Sequence, residues 1–179
     1  MTITDFWTTA DTHFSHGNII RYCNRPFSCS EEMDEVLITN WNSRVQKNDV
    51  VFHLGDFAFN FIDKHVQRLN GKIILIFGNH DKLAKRNANL FHSTHDYLEV
   101  EYKNTKIVMC HYAFYIWNKS HFDSINLFGH SHGRVVKEGK QMDVGVDTNN
   151  YFPYHSSEIE KIMNSSKGHN HNFIERGSK

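Results

Sequence analysis

Residues 72 to 82 read Lys72-Ile73-Ile74-Leu75-Ile76-Phe77-Gly78-Asn79-His80-Asp81-Lys82. The apolar run has no polar alternation, which suits a strand buried on both faces of a sheet, and the chain then turns at Gly78. Asn79, His80 and Asp81 therefore arrive together at the strand's C-terminal tip, the end at which open α/β sheets bind ligands. The same residue types also make ordinary turns and helix caps. The rest of the chain decides between a turn and a site.

Working outward, Asp49 to Leu54 reads as a second buried strand that stops at Gly55-Asp56, so a carboxylate stands at its tip as well. His53 inside that run reads as a hydrogen-bonded core histidine. Ile62, Val66 and Leu69 mark a helix ended by Asn70-Gly71. Towards the N-terminus, Ile3 to Ala10 reads as a strand ending in Asp11-Thr12-His13. In extended backbone residues i and i+2 share a face, which puts a carboxylate beside an imidazole. Ser28-x-x-Glu31 has the capping-box pattern, ahead of Met33, Val36, Leu37, Trp41 and Val45 at helical spacing.

Towards the C-terminus, Lys82 to Asn89 reads as helical and His92 to His95 as a loop with exposed histidines. Tyr97 to Tyr102 and Thr105 to Cys110 form a hairpin through Lys103-Asn104, and the second strand runs into His111. An aromatic stretch, Tyr112 to Trp117, follows. Asn126 to Phe128 is a short strand closed by Gly129-His130-Ser131-His132-Gly133, where the i, i+2 argument applies to two imidazoles. Met142 to Val146 suggests one more strand and Ser156 to Met163 a last helix, with Ser156 or Ser157 as N-cap. Residues 1–163 thus read as one domain. Residues 164–179 turn polar and Ser/Gly/Asn-rich, which predicts a flexible tail with His169 and His171 solvated.

The totals narrow the function. A chain of 179 residues buries a core without disulfides or a structural metal. No run approaches the length of a membrane span, and the N-terminus lacks a basic segment followed by an apolar one, so the expectation is a cytoplasmic protein without membrane contact. Three cysteines without C-x-x-C spacing suggest reduced thiols. Twenty Lys and Arg balance twenty Asp and Glu, so no global field draws the chain onto duplex nucleic acid. Fourteen histidines are the abnormal count, and imidazole is both a metal ligand and an acid or base near neutral pH.

Five segments end in a metal-competent group: Asp11 with His13, Asp56, Asn79 with His80, His111, and His130 with His132. This order of D-x-H, G-D, G-N-H-D, a strand-ending H and G-H-x-H resembles the calcineurin-like metallophosphoesterases, in their small single-domain bacterial and phage form, across residues 11 to 132. The resemblance implies an α/β fold, a four-layer α/β/β/α sandwich. It implies two divalent ions, manganese first, with iron, zinc, nickel or magnesium as alternatives. Asp11, His13, Asp56 and His132 would hold one, and Asp56, Asn79, His111 and His130 the other. Asp56 would bridge them, with His80 as the acid outside the ligand set.

The phosphoprotein phosphatases of that family carry a further Asp and Arg soon after the G-D. Here Phe57-Ala58-Phe59-Asn60 stands instead, so a group that orients His80 and a cation for a phosphate dianion are both missing from that stretch. The expected activity is hydrolysis of small or nucleotide-type phosphodiesters by metal-activated hydroxide. Phe14, Tyr112, Tyr115 and Trp117 are candidates to stack on a base. A nuclease acting on short single strands and a non-catalytic protein-binding module on the same fold are the alternatives. A homo-oligomer is compatible with the sequence.

Overall fold

The structure is a computed structural model and describes residues 2–135 and 139–166. The predicted tail, with His169 and His171, therefore lies outside the described residues apart from 164–166. The strands are β1 (Thr2–Ile3), β2 (Trp7–Thr9), β3 (Val50–His53), β4 (Lys72–Ile76), β5 (Ser93–His95), β6 (Leu98–Tyr102), β7 (Thr105–Met109), β8 (Ile125–Phe128), β9 (Gln141–Asp143) and β10 (Tyr154–His155). The helices are α1 (Gly17–Tyr22), α2 (Ser30–Arg44), α3 (Ile62–Arg68), α4 (Lys82–Arg86) and α5 (Ser156–Asn164). Two five-stranded sheets form, in the orders β10-β2-β3-β4-β5 and β1-β6-β7-β8-β9. Parallel pairing joins β2 through β5 in the first sheet and β7, β8 and β9 in the second.

The period of two along each strand divides the core. Phe52, Leu54, Ile74 and Ile76 face the second sheet and meet Ile107, Met109, Ile125, Leu127 and Met142. The alternate residues Val51, Ile73 and Leu75 face outward onto Met33, Leu37 and Trp41 of α2, with Ile62 of α3 and Ala84 of α4. β3 and β4 are thus apolar on both sides, as a strand covered on both faces requires. The outer face of the second sheet is covered at Asn126 and Gln141 by segment 111–124. Phe114 N–H donates to Asn126 Oδ1, and Gln141 Nε2 donates to the Phe114 carbonyl. No described helix is long and apolar enough to cross a membrane.

Several local expectations are corrected. The single strand expected over Ile3 to Ala10 is two, β1 in one sheet and β2 in the other. His92 to His95 is not all loop, since Ser93–His95 pairs with β4 as an edge strand despite its polar sequence. Met142 to Val146 is a strand only to Asp143, and a 3-10 turn, Val146–Thr148, follows. Ser28 pairs with Glu32, its N–H and hydroxyl donating to Oε2 at 2.7 and 2.5 Å, and α2 starts one residue later than a Ser28 cap requires, with Cys29 at the cap position. α5 is capped by His155, whose side chain accepts from Ser157 N–H while Glu158 accepts from His155 N–H. His53 is buried and bonded to Thr12 Oγ1 at 2.9 Å, as a core histidine should be.

Candidate metal centre

Asp11, Asp56, Asn79, His111 and His130 each lie two or three residues beyond the C-terminal end of β2, β3, β4, β7 or β8. Because these strands run parallel within each sheet, and Ala10 bridges to Gly145 between them, the five tips gather at one edge. The backbone does not arrive extended. Asp11, His13, Asp56, His130 and His132 all have positive φ, between 49° and 65°. Non-glycine residues take this left-handed conformation at a cost of order 1–3 kcal/mol each, and such strain concentrates at functional sites. The i, i+2 argument thus predicted the juxtaposition of Asp11 and His13, 3.9 Å apart at Oδ1 and Nε2, from the wrong backbone, whereas His130 and His132 fall in different ligand groups. Gly78 allows the close approach: a Cβ there would stand 2.2 Å from Asp56 Oδ1.

Three groups of three ligand atoms converge among the described residues, each within 4.8 Å: first Asp11, His13 and His132, second Asp56, His111 and His130, and a further one, Cys23, His132 and Asp147, behind His132. Asp56 Oδ2 lies between the first two, 3.6 Å from His13 Nε2 and 3.5 Å from His111 Nε2. Asn79 Oδ1 is 3.1 Å from His111 Nε2 on the far side. Two atoms of the first group, Asp11 Oδ1 and His13 Nε2, are buried and have no hydrogen-bond partner among the described residues. A buried carboxylate oxygen beside an unpaired imidazole nitrogen costs free energy unless something positive meets both. Burial pushes the Asp11 carboxyl up to about 7 against the attraction of His132 and His111. For Asp56 burial acts upward too, but His111, His13 and the His80 N–H outweigh it and hold the group at about 2. Carboxylate, amide oxygen and imidazole suit a hard or borderline divalent cation, so the residues fit one.

The spent atoms of these side chains fix which atoms remain. His111 Nδ1 donates to the Leu54 carbonyl at 2.7 Å and His132 Nδ1 to Asp147 Oδ2 at 2.7 Å, which leaves Nε2 of both rings as the nitrogen available to a metal. Asp11 Oδ2 accepts His130 N–H and Asp56 Oδ1 accepts His80 N–H, each at 2.8 Å. Asp81, the last residue of the GNHD motif, is buried and accepts the N–H groups of Asp56, Phe57 and Gly78 at 2.7, 2.9 and 2.7 Å. It ties the second and third tips together and reaches no ligand atom.

No local pattern signals the residues behind these ligands. Arg25 is buried and doubly bonded to Asp147, at 2.8 Å to each oxygen, and also donates to the carbonyls of Asp11 and Thr12. Asp143 accepts Ser131 Oγ, Gly133 N–H and Gly145 N–H, which braces the His130–His132 loop. The His80 side chain makes no hydrogen bond among the described residues. Its ring lies 5.2 Å from Phe59, which stacks at 3.7 Å and 17° on His16. An aromatic face thus stands in the Phe57–Asn60 stretch that lacks the phosphatase Asp.

A cavity of about 410 Å³ opens over these groups, lined by the buried His13 and Asp56, by His132, and by the exposed His80, Tyr22 and Arg134. A second, of about 360 Å³, lies beside Asn79 and is walled by Phe77, Lys82, Lys85 and Tyr112. A roomier one of about 560 Å³ between Glu101, Lys106 and Lys119 touches none of these residues. The expected base-stacking set divides. Phe14 and Trp117 are buried in the core, 0% and 5% exposed, and are unavailable. Tyr112 and Tyr115 are exposed, and Tyr112 stands 4.8 Å from His130 and 5.0 Å from His111.

Comparison with known proteins points to one family. A model described as the calcineurin-like phosphoesterase superfamily domain matches residues 7–146. An uncharacterized protein of Methanocaldococcus jannaschii is 34% identical over 181 residues, covering 93% of this chain and 96% of that protein. A phosphodiesterase of the same organism is 30% identical over 100 residues, half of this chain and 60% of its own. A protein of unknown function from Aquifex aeolicus has a similar structure, with a TM-score of 0.72 at 27% identity over 89% of this chain and all of that one.

Proposed function

The chain belongs to the calcineurin-like phosphoesterase superfamily, and from that premise we propose that it is a dinuclear-metal phosphodiesterase of small or nucleotide-type substrates. What carries the reading is the pair of ligand groups meeting at Asp56 Oδ2, with Asp11 Oδ1 and His13 Nε2 of the first group buried and without a hydrogen-bond partner among the described residues. Asp11, His13 and His132 would hold one divalent ion and Asn79, His111 and His130 the other, with Asp56 shared. Two such ions, when bound, acidify a water and neutralise charge on the phosphoryl oxygens.

The remaining work falls to the chain. His80 borders the cavity without belonging to either group, so its ring is free to give a proton to the departing ester oxygen, a role worth ~10²–10⁴-fold. Phe59 and the Asp56-bound backbone N–H of His80 hold that ring over the site. A cavity on each side of the centre suits a phosphate with two ester arms, which favours diesters over monoesters.

Turnover of matched alkyl diesters and monoesters with added manganese, with metal content assayed alongside, tests the reading. Diester hydrolysis that is abolished by chelation and restored with two ions per chain is the expected result. Metal-independent turnover, or a monoester preference, would overturn it.

A further inference from the structure

Arg134 has no part in the roles above, yet it lines the same cavity as His80, Asp56 and His132. Its Nη2 donates to the Tyr22 carbonyl at 2.7 Å and lies 4.0 Å from Cys23 Sγ, which is itself within 4.8 Å of a His132 nitrogen. Nη1 and Nε make no hydrogen bond among the described residues. A guanidinium carries a permanent charge and five donors in a planar fork matched to phosphate. Fixed at one corner by a backbone carbonyl, it loses little freedom on meeting an anion.

Its height in the cavity decides which anion it meets. Asp56 and His13 form a buried floor, each 2% exposed, whereas Arg134 and Tyr22 are exposed at the rim. A phosphodiester seated on the floor sends one ester arm up past that rim. Tyr22 beside Arg134 offers a ring face for a base, already approached by Arg21 at 5.4 Å. The cations of the second cavity are less prepared. Lys85 is 3.6 Å from Asp96 and sits over Phe77, and Lys82 presents a strongly hydrated point charge on a flexible stem.

We propose that Arg134 is a specificity-determining residue that binds a terminal phosphate on the substrate arm, so that the preferred substrate is a short nucleotide diester ending in a phosphomonoester. The inference rests on the phosphodiesterase reading and names the substrate class of that same site.

The test compares thymidylyl-thymidine bearing a 5′- or a 3′-terminal phosphate with the unphosphorylated dinucleotide. The wild type should favour one phosphorylated form by about tenfold or more in kcat/KM, and Arg134→Gln should erase most of that preference while Arg134→Lys keeps part of it. Binding provides the second readout, using the same phosphorylated dinucleotide with its bridging ester oxygen replaced by CH₂. Arg134→Gln should weaken it by about tenfold or more by calorimetry, with manganese and after chelation. If no diester is cleaved but Arg134-dependent binding persists, the phosphodiesterase reading fails and the anion subsite stands. Cleavage with equal losses on both dinucleotides, with no loss on either, or with the preference abolished by Lys82→Gln instead, overturns the subsite and leaves the activity intact.

Discussion

Arg25→Met should separate what stabilises the fold from what prepares the centre. Arg25 is 4% exposed and forms a buried pair with Asp147, whose other neighbour is His132 Nδ1. Breaking a buried pair from one side costs about 3–5 kcal/mol, because the remaining charge has lost its partner. His132 still donates to Asp147, which argues for the lower end, about 3 kcal/mol. At about 2–4 °C per kcal/mol for a chain of this size, the metal-free protein should melt about 6–12 °C lower. The Asp11 and Thr12 carbonyls also lose their donor, at the loop that carries Asp11 and His13.

The variant Asp147→Leu and the double variant complete the cycle. An apolar pair in place of a buried ion pair is often neutral for stability, so the double variant should recover much of the melting temperature. It should not recover metal affinity, since His132 Nδ1 remains without its acceptor, and such outer partners are worth about 10–100-fold. Calorimetric melting after chelation and manganese titration of the folded protein measure the two separately. A variant Arg25→Met that melts within about 2 °C of the wild type and binds manganese equally well would refute the reasoning. So would a double variant with restored metal affinity.

Asp56→Asn should bring metal content from two ions per chain towards one, measured by elemental analysis after reconstitution, because it weakens the group between His13 and His111. His80→Gln should cut turnover by ~10²–10⁴-fold on an alkyl diester with metal content unchanged. The loss should shrink on a nitrophenyl diester, whose leaving group needs no proton, and a loss independent of leaving group would reduce His80 to a positioning role. Asp34 should make the fold less stable as pH rises. Burial, opposed by the Ser15 N–H and hydroxyl, raises its carboxyl from 3.8 to about 6, so the folded state holds the proton more tightly than the unfolded one and this contribution is lost between about pH 4 and 6. Asp34→Asn should flatten that part of the profile in urea titrations, and an unchanged slope would count against it.

What was legible in the sequence depended on how far its signal had to travel. Ile73 to Ile76 followed by Gly78 identifies a buried strand and its tip locally, and the same local grammar found β3, β7 and β8 with Asp56, His111 and His130 beyond them. It failed where backbone and side chain part company. The expected extended Asp11-Thr12-His13 and His130-Ser131-His132 are left-handed at both acid and imidazole positions, because neighbouring tips supply hydrogen bonds that outweigh the local preference: Asp11 N–H to the Gly55 carbonyl, His13 N–H to the Asp56 carbonyl, and His130 N–H to Asp11. It also failed for β5, where pairing with β4 overrides a polar sequence. Arg25 and Asp147 lie 122 residues apart, and neither has a neighbour that marks it for burial. Their meeting follows only once the β2 loop and the turn after β9 have closed on His132. The residues proposed to hold metal could therefore be read as a motif, while those that set the tautomer and angle of the imidazoles are a product of the closed fold.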